Sequence, residues 1–149
     1  MGIEQRTIDA AQSFYDRFDE QGLLVVLGKQ EKAIAKDSTL ACDPTLDPEY
    51  DSTHMGLIDD LKSIGMRVMN RWNRELHQLV CGKELNETRE QLIKALNLSE
   101  AAAVAAVASM LLAIAPAAVA APLAALLVKS ILLPAKEELC EAWSEALET

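Results

Sequence analysis

Aromatic residues are scarce in this sequence: two tryptophans, two tyrosines and two phenylalanines make up 4% of its 149 residues. β-Sheet cores are typically rich in aromatic and β-branched side chains. Half of the residues are hydrophobic, so alanine, leucine and valine must supply most of the core. That composition excludes a largely disordered chain and favours closely packed helices, and the sequence therefore predicts an all-α fold.

Positive charge is also in short supply, with 14 lysines and arginines against 23 aspartates and glutamates and a net charge of −9. Nucleic-acid binding depends on clustered lysine and arginine that contact phosphates. Anionic lipid attracts basic rather than acidic surfaces. The charge balance therefore argues against a general nucleic-acid partner and against adhesion to an anionic membrane surface.

The three cysteines, Cys42, Cys81 and Cys140, are odd in number and form no CxxC pair. This spacing argues against a disulfide framework and against a tetrahedral zinc site. We therefore expect reduced thiols in a cytoplasmic protein. The polar, mixed-charge start of the chain, residues 1–11, agrees with this expectation because it does not have the pattern of a signal peptide.

Motifs that would bind a metal or a cofactor are absent. The sequence contains no GxxxxGK[ST], GxGxxG or HExxH. Asp47, Glu49 and Asp51 alternate as calcium ligands can, but position twelve of such a loop would be Ile58 rather than glutamate, which excludes an EF-hand. His54 and His77 are the only histidines and lie too far apart for shared ligation. We expect no cofactor and no metal site.

Apolar periodicity predicts a bundle of six or seven helices in one domain. The clearest element is a long amphipathic helix from Met55 to Val80, with Gly65 on its apolar stripe where a neighbouring helix can approach closely. The other stripe residues are Ile58, Leu61, Val68, Trp72, Leu76 and Leu79. The predicted segments are N-terminal helices in 1–36, an acidic proline-containing loop in 37–53, the long helix and a shorter one in 54–98, an apolar hairpin in 99–134 and a C-terminal amphipathic helix in 135–149.

The apolar hairpin is the most informative feature. Ala101 to Val128 is a run of 28 residues without a charge, of which 14 are alanine. Ser99 is a good helix cap, and Pro116 divides the run because proline disrupts a continuous helix. The sequence predicts two apolar helices joined near Pro116. The larger side chains of this hairpin are our candidate interaction or membrane residues: Val104, Val107, Met110, Leu111, Ile114, Val119, Leu123, Leu126 and Leu127.

Three roles are open for such a hairpin: a buried core or oligomer interface, a latent membrane element, or a permanent membrane insertion. A helix that is apolar all round must be covered by protein or lipid. The predicted arrangement is similar in architecture, though not in any motif, to that of pore-forming colicins and of the pore-forming relatives of the apoptosis regulators, which store an apolar hairpin inside a bundle. That analogy implies a hairpin released by a trigger.

The long helix also carries Arg67, Arg71 and Arg74, followed by His77. Arg71 and His77 resemble the R-x4–6-H pattern of helical RNases of the HEPN class, which are small all-α bundles. The resemblance implies a metal-independent RNase in which arginine stabilises phosphate charge and histidine transfers protons. The simpler interpretation is a solvated helix face with an Arg71–Glu75 pair.

Taken as a whole, the sequence favours a non-enzymatic interaction or assembly protein, in the manner of an effector or accessory protein of a bacterial conflict system. Its apolar hairpin would mediate oligomerisation or membrane action, in a cytoplasmic protein that can associate with a membrane. The expected partner is another protein or a second copy of the chain. The alternative is a HEPN-like RNase that uses Arg71 and His77 as catalytic residues.

Overall fold

The computed structural model describes residues 2–48, 57–82, 87–135 and 139–148. Nearly all of the described residues lie in helices, and none of them lies in a β-strand. The predicted all-α bundle is confirmed. Met55 and His54, at the predicted start of the long helix, lie outside the described residues.

The described residues form a succession of helices. The helices are α1 (Ile3–Arg17), α2 (Glu20–Lys36), a 3₁₀ turn (Ser38–Cys42), α3 (Leu57–Cys81), α4 (Glu87–Leu98), α5 (Glu100–Leu112), α6 (Ala117–Leu127), a π-helical turn (Val128–Leu132), α7 (Leu133–Ala135) and α8 (Leu139–Glu148). The Ser99 side chain accepts a hydrogen bond from the Ala102 backbone N–H, as its sequence position predicts for the start of α5. Of the predicted final helix, the structure describes α7, which contains Pro134, and α8; residues 136–138 between them lie outside the described residues.

Helix α6 lies at the centre of the bundle. All eleven of its residues are buried, and α1, α2 and α5 pack around it. The sequence explains this position, because a helix with no polar face has no side that can be turned to water. The longer amphipathic helices α1 and α3 have one apolar face directed toward the core and one polar face directed outward, whereas the outward side of α5 is mostly alanine.

Helices α2 and α3 cross almost backbone to backbone at two glycines. A β-carbon on Gly28 would lie 2.1 Å from the Leu61 carbonyl oxygen, and one on Gly65 would lie 2.0 Å from the Leu24 carbonyl oxygen. Leu24 of α2 thus lies beside Gly65 of α3, and Gly28, one turn later in α2, lies beside Leu61, one turn earlier in α3. The two helices are therefore antiparallel. The close approach predicted at Gly65 is present, and Gly28 is its counterpart on the other helix.

The apolar stripe of α3 changes direction near its middle. Leu61, Gly65, Val68 and Leu76 are buried as the periodicity predicts. Leu79 is 39% exposed, however, and Val80 is fully buried, so the prediction that Leu79 faces the core is wrong. The physical reason is a change of neighbour: the first half of α3 packs on α2, whereas its second half also packs on α4 and α8.

The acidic loop is attached to α2 over its described part. Lys29 Nζ pairs with Asp47 Oδ1 at 2.9 Å, and Gln30 Nε2 donates to the Leu46 carbonyl oxygen at 2.7 Å. Pro44 is buried, so residues 43–47 lie against the bundle rather than extending into solvent. Glu49 and Asp51 lie outside the described residues.

The expectation of three reduced cysteines is wrong. Cys81 at the end of α3 and Cys140 near the start of α8 form a disulfide, while Cys42 is a free and exposed thiol. Packing of α8 on α3 brings the two Cα atoms within 5.7 Å although 59 positions separate them in sequence. An odd cysteine count leaves one thiol unpaired, but it does not prevent the other two from pairing.

Candidate functional site

The apolar hairpin consists of α5, the turn 113–116 and α6. The turn begins with the Ala113 and Ile114 N–H groups, which donate to carbonyl oxygens in the last turn of α5. Pro116 then adopts an extended conformation as the N-cap of α6, and its carbonyl oxygen accepts from the Ala120 N–H at 2.9 Å. Proline thus separates the two apolar helices at the position that the sequence predicts.

The structure divides the nine candidate interaction residues into two groups. Seven are in the closed core with at most 5% of their surface exposed: Val104, Val107, Leu111, Val119, Leu123, Leu126 and Leu127. Met110 and Ile114 are half-buried near the hairpin turn. In the closed bundle, therefore, only this second group is accessible to a partner.

The accessible end of the hairpin is apolar. Ala113 and Pro116 are exposed, and Met110, Leu112 and Ile114 are half-buried beside them. None of these five residues carries a charge. We call residues 110–116 the hairpin tip. It offers an uncharged, mostly aliphatic surface next to a core that is apolar throughout.

The opposite end of the hairpin is closed by charged residues that the sequence analysis did not select. Glu100 and Lys129 are the first charges on either side of the apolar run, and both contact Tyr15 of α1. The Tyr15 hydroxyl donates to Glu100 Oε2 at 2.9 Å, and the Lys129 ammonium lies 4.4 Å from the centre of the Tyr15 ring. Tyr15 thus connects both ends of the apolar segment to α1.

Lys129 also completes the hydrogen bonding at the end of α1. Its ammonium donates to the carbonyl oxygens of Tyr15 and Phe18, each at 2.5 Å. Carbonyl groups in the last turn of a helix have no partner within the helix, and a cation there interacts favourably with the helix dipole. Lys129 therefore fixes the end of α1 against the π-helical turn that follows α6.

The environment of Tyr15 alters its acidity. Burial, reinforced by the hydrogen bond to the negatively charged Glu100, raises the pKa of Tyr15 to about 12 from 10.0. The hydroxyl therefore stays protonated over the physiological pH range and remains a donor to Glu100. One sequence signal could have identified this cluster, namely that Glu100 and Lys129 bracket the uncharged run.

The two residues of the RNase alternative lie on different sides of α3. They are six positions apart, which separates them by about 120° around the helix axis and about 9 Å along it. His77 is directed toward α8, where its Nε2 lies 3.1 Å from Ser144 Oγ and its ring packs against Trp143 at 5.2 Å. Arg71 is exposed. Within one chain the described geometry does not bring the two side chains together.

Trp143 anchors α8 beside this histidine. Its side chain is fully buried, and its Nε1 donates to Asn73 Oδ1 at 2.6 Å. A buried indole needs such a partner, and the bond also satisfies a polar side chain that is only 3% exposed. His77 is therefore part of a packed helix contact, which accounts for its position without a catalytic role.

The expected Arg71–Glu75 ion pair does not form. The guanidinium of Arg71 lies instead over the ring of Trp72, 4.7 Å from its centre. Trp72 is half-buried against the core rather than fully enclosed, so one face of its ring is available to the cation. The ion pair found between described side chains joins Lys29 to Asp47.

Metal binding finds no support in the described chain. No group of three or more histidine, cysteine, aspartate or glutamate side chains in these ranges could hold a metal ion. Asp47, one of the alternating acidic residues, pairs with Lys29 instead.

No helix among the described residues is both long enough and apolar enough to cross a membrane. Comparison with known proteins found no match to the chain among protein-family models, curated proteins or solved structures. The functional argument therefore rests on the geometry of the hairpin and of the surfaces around it.

Proposed function

We propose that the protein is a non-enzymatic helical assembly protein that associates with other protein chains, including copies of itself, through its apolar hairpin. The observation that carries this proposal is the hairpin tip. It is the end of the apolar hairpin where the candidate residues Met110 and Ile114 retain accessible surface.

Association in the closed state would begin at the tip. Aliphatic surface there can be buried against a partner without removing any charge from water, which favours association by the hydrophobic effect. The half-buried outward side of α5 continues from the tip and consists of small residues such as Ala102, Ala105 and Ala106. Small side chains allow the backbone of a partner helix to approach closely.

A larger interface requires the bundle to open. Seven of the nine candidate residues are buried beneath α1, α2 and the other hairpin helix, so they become available only if α1 moves away. The Tyr15 contacts with Glu100 and Lys129 oppose that movement. On this proposal, membrane action is a competing use of the same opened hairpin.

The test compares a charge at the tip with the same charge elsewhere. Ala113→Lys places lysine on the exposed tip, and Leu98→Lys places it at the end of α4, where the side chain is 79% exposed. Both positions lie at helix C-termini, where lysine is well tolerated. Sedimentation velocity over a range of concentrations should show that the wild type and Leu98→Lys associate, whereas Ala113→Lys stays monomeric.

Dye release from lipid vesicles provides the second measurement. A wild-type protein that remains monomeric and inert toward vesicles would contradict the proposal. If the wild type released dye without self-associating, and Ala113→Lys abolished that release, the hairpin would act on lipid membranes rather than in protein assembly.

A further inference from the structure

One strongly charged surface is not used by the proposed function. Arg67, Arg71 and Arg74 are all exposed on α3, within about 60° around the helix axis and about 10 Å along it. We call these three residues the arginine stripe. It is a concentration of positive charge on a chain whose net charge is −9.

The stripe is not neutralised within the described structure. None of its three guanidinium groups forms an ion pair with a described carboxylate. Arg67 and Arg74 have no carboxylate three or four positions away, where a helix would bring one into contact. Arg71 has Glu75 at that distance, yet its guanidinium lies over Trp72.

The arginines also repel one another. Arg67 and Arg71 are four positions apart and Arg71 and Arg74 are three apart, so each pair occupies neighbouring positions on the helix surface. Like charges at these spacings destabilise a helix. A partner that supplies negative charge along the stripe would relieve this repulsion and gain charge-assisted hydrogen bonds.

We propose that the arginine stripe is a docking surface for an acidic helical segment of a partner protein, with carboxylates spaced at i, i+4 and i+7. Arginine forms bidentate hydrogen bonds with carboxylates, and the same spacing on a facing helix places one carboxylate near each guanidinium. The stacking of Arg71 on Trp72 holds one of the three guanidinium groups in place before binding.

Charge and shape favour such a segment over nucleic acid. The stripe is only about two helical turns long, whereas the surrounding protein is acidic and repels an extended polyanion. Binding of single-stranded nucleic acid also relies on exposed aromatic side chains that stack with bases. Among the described residues of α3, Trp72 is half-buried and its ring is already covered by Arg71.

The probe is a short alanine-based helical peptide with three glutamates at i, i+4 and i+7, and its matched control has glutamine at the same positions. Fluorescence anisotropy should show that the glutamate peptide binds the wild-type protein with a Kd of about 100 μM at low salt. Binding should weaken as salt is raised, because the contacts are exposed and screened. The glutamine peptide should not bind.

Two triple variants distinguish an effect of the arginine stripe from an effect of the protein's net charge. Arg67→Gln, Arg71→Gln and Arg74→Gln together should reduce affinity at least about tenfold. Arg6→Gln, Lys36→Gln and Lys94→Gln remove the same charge from three other exposed positions and should leave affinity within about twofold. Circular dichroism should show that both triple variants keep the helical content of the wild type.

Three outcomes would overturn the proposal. These are equal loss of affinity in the two triple variants, no binding of the glutamate peptide by the wild type, and tighter stripe-dependent binding of a single-stranded oligouridine than of the peptide. Self-association measured in the same samples is independent of this test, because the stripe lies on α3 and the hairpin tip lies between α5 and α6.

Discussion

Tyr15 donates a hydrogen bond from its hydroxyl group to Glu100 Oε2 across 2.9 Å, and this contact joins α1 to the first turn of α5. Glu100 and Lys129 are the first charged residues on either side of the apolar run, and both contact the Tyr15 side chain. A residue in the first helix is thereby placed at the base of a hairpin that begins 85 positions later.

The acidity of Tyr15 tests this contact directly. In a Tyr50→Phe background Tyr15 is the single tyrosine, and ultraviolet absorbance of its phenolate should give a pKa of about 12 instead of 10.0. Because the folded-state pKa is raised, the associated stability is fully present below pH 10 and is lost as the pH rises toward 12. Glu100→Gln should lower the pKa only in part, since burial is the larger cause. A midpoint near 10 in the folded protein would contradict the contact.

Close packing of α2 on α3 predicts a large effect at Gly65. In Gly65→Ala the new β-carbon would meet the Leu24 carbonyl oxygen at 2.0 Å, and a backbone atom inside a helix cannot move aside easily. Chemical denaturation should show a loss of about 3 kcal/mol in the free energy of unfolding. Gly2→Ala is the control, because nothing lies within 4 Å of its added carbon. If both variants were equally stable, the two helices would not be this close.

The disulfide is a second structural constraint. Reduction of Cys81–Cys140, or replacement of both residues by alanine, should lower the stability by about 2–4 kcal/mol because the bond closes a long loop in the unfolded chain. Cys42→Ser should have little effect, since that thiol is exposed and free. Mass spectrometry of the unreduced, digested protein should detect a linked peptide pair. Alkylation of three thiols in the oxidised protein would show that the bond is absent.

The core of the hairpin and its tip should respond differently to charge. Ala120→Lys places an ammonium at a fully buried position of α6 and should unfold the protein, because an unpaired buried charge costs several kcal/mol. Ala113→Lys, at the exposed tip, should leave the unfolding temperature almost unchanged. Thermal unfolding followed by circular dichroism distinguishes the two. Tolerance of lysine at Ala120 would mean that α6 is not the centre of the bundle.

RNA cleavage is the test of the HEPN-like alternative. We expect no metal-independent cleavage by the purified wild-type protein, because Arg71 and His77 diverge on α3 and His77 is engaged by Ser144. His77→Ala and Arg71→Ala should therefore change stability rather than activity. Cleavage by the wild type that disappears in both folded variants would instead establish an RNase site assembled between chains.

Much of this architecture was predictable from the sequence. The 3.6-residue periodicity and the scarcity of aromatic residues predict helices, and Pro116 and Ser99 mark the boundaries of the apolar pair. A run of 28 uncharged residues requires cover, so its burial follows from the hydrophobic effect even before the covering elements are known. Gly65 on an apolar stripe also predicts a close helix neighbour, because only glycine leaves room for a backbone there.

Tertiary structure alone decided which distant neighbours meet. Leu79 and Val80 are both apolar, and the packing of α4 and α8 determines that Val80 is the buried one. Cys81 and Cys140 become a pair only when α8 lies on α3. Periodicity identifies the face of a helix that is buried, but the partner of each residue depends on contacts between segments distant in sequence.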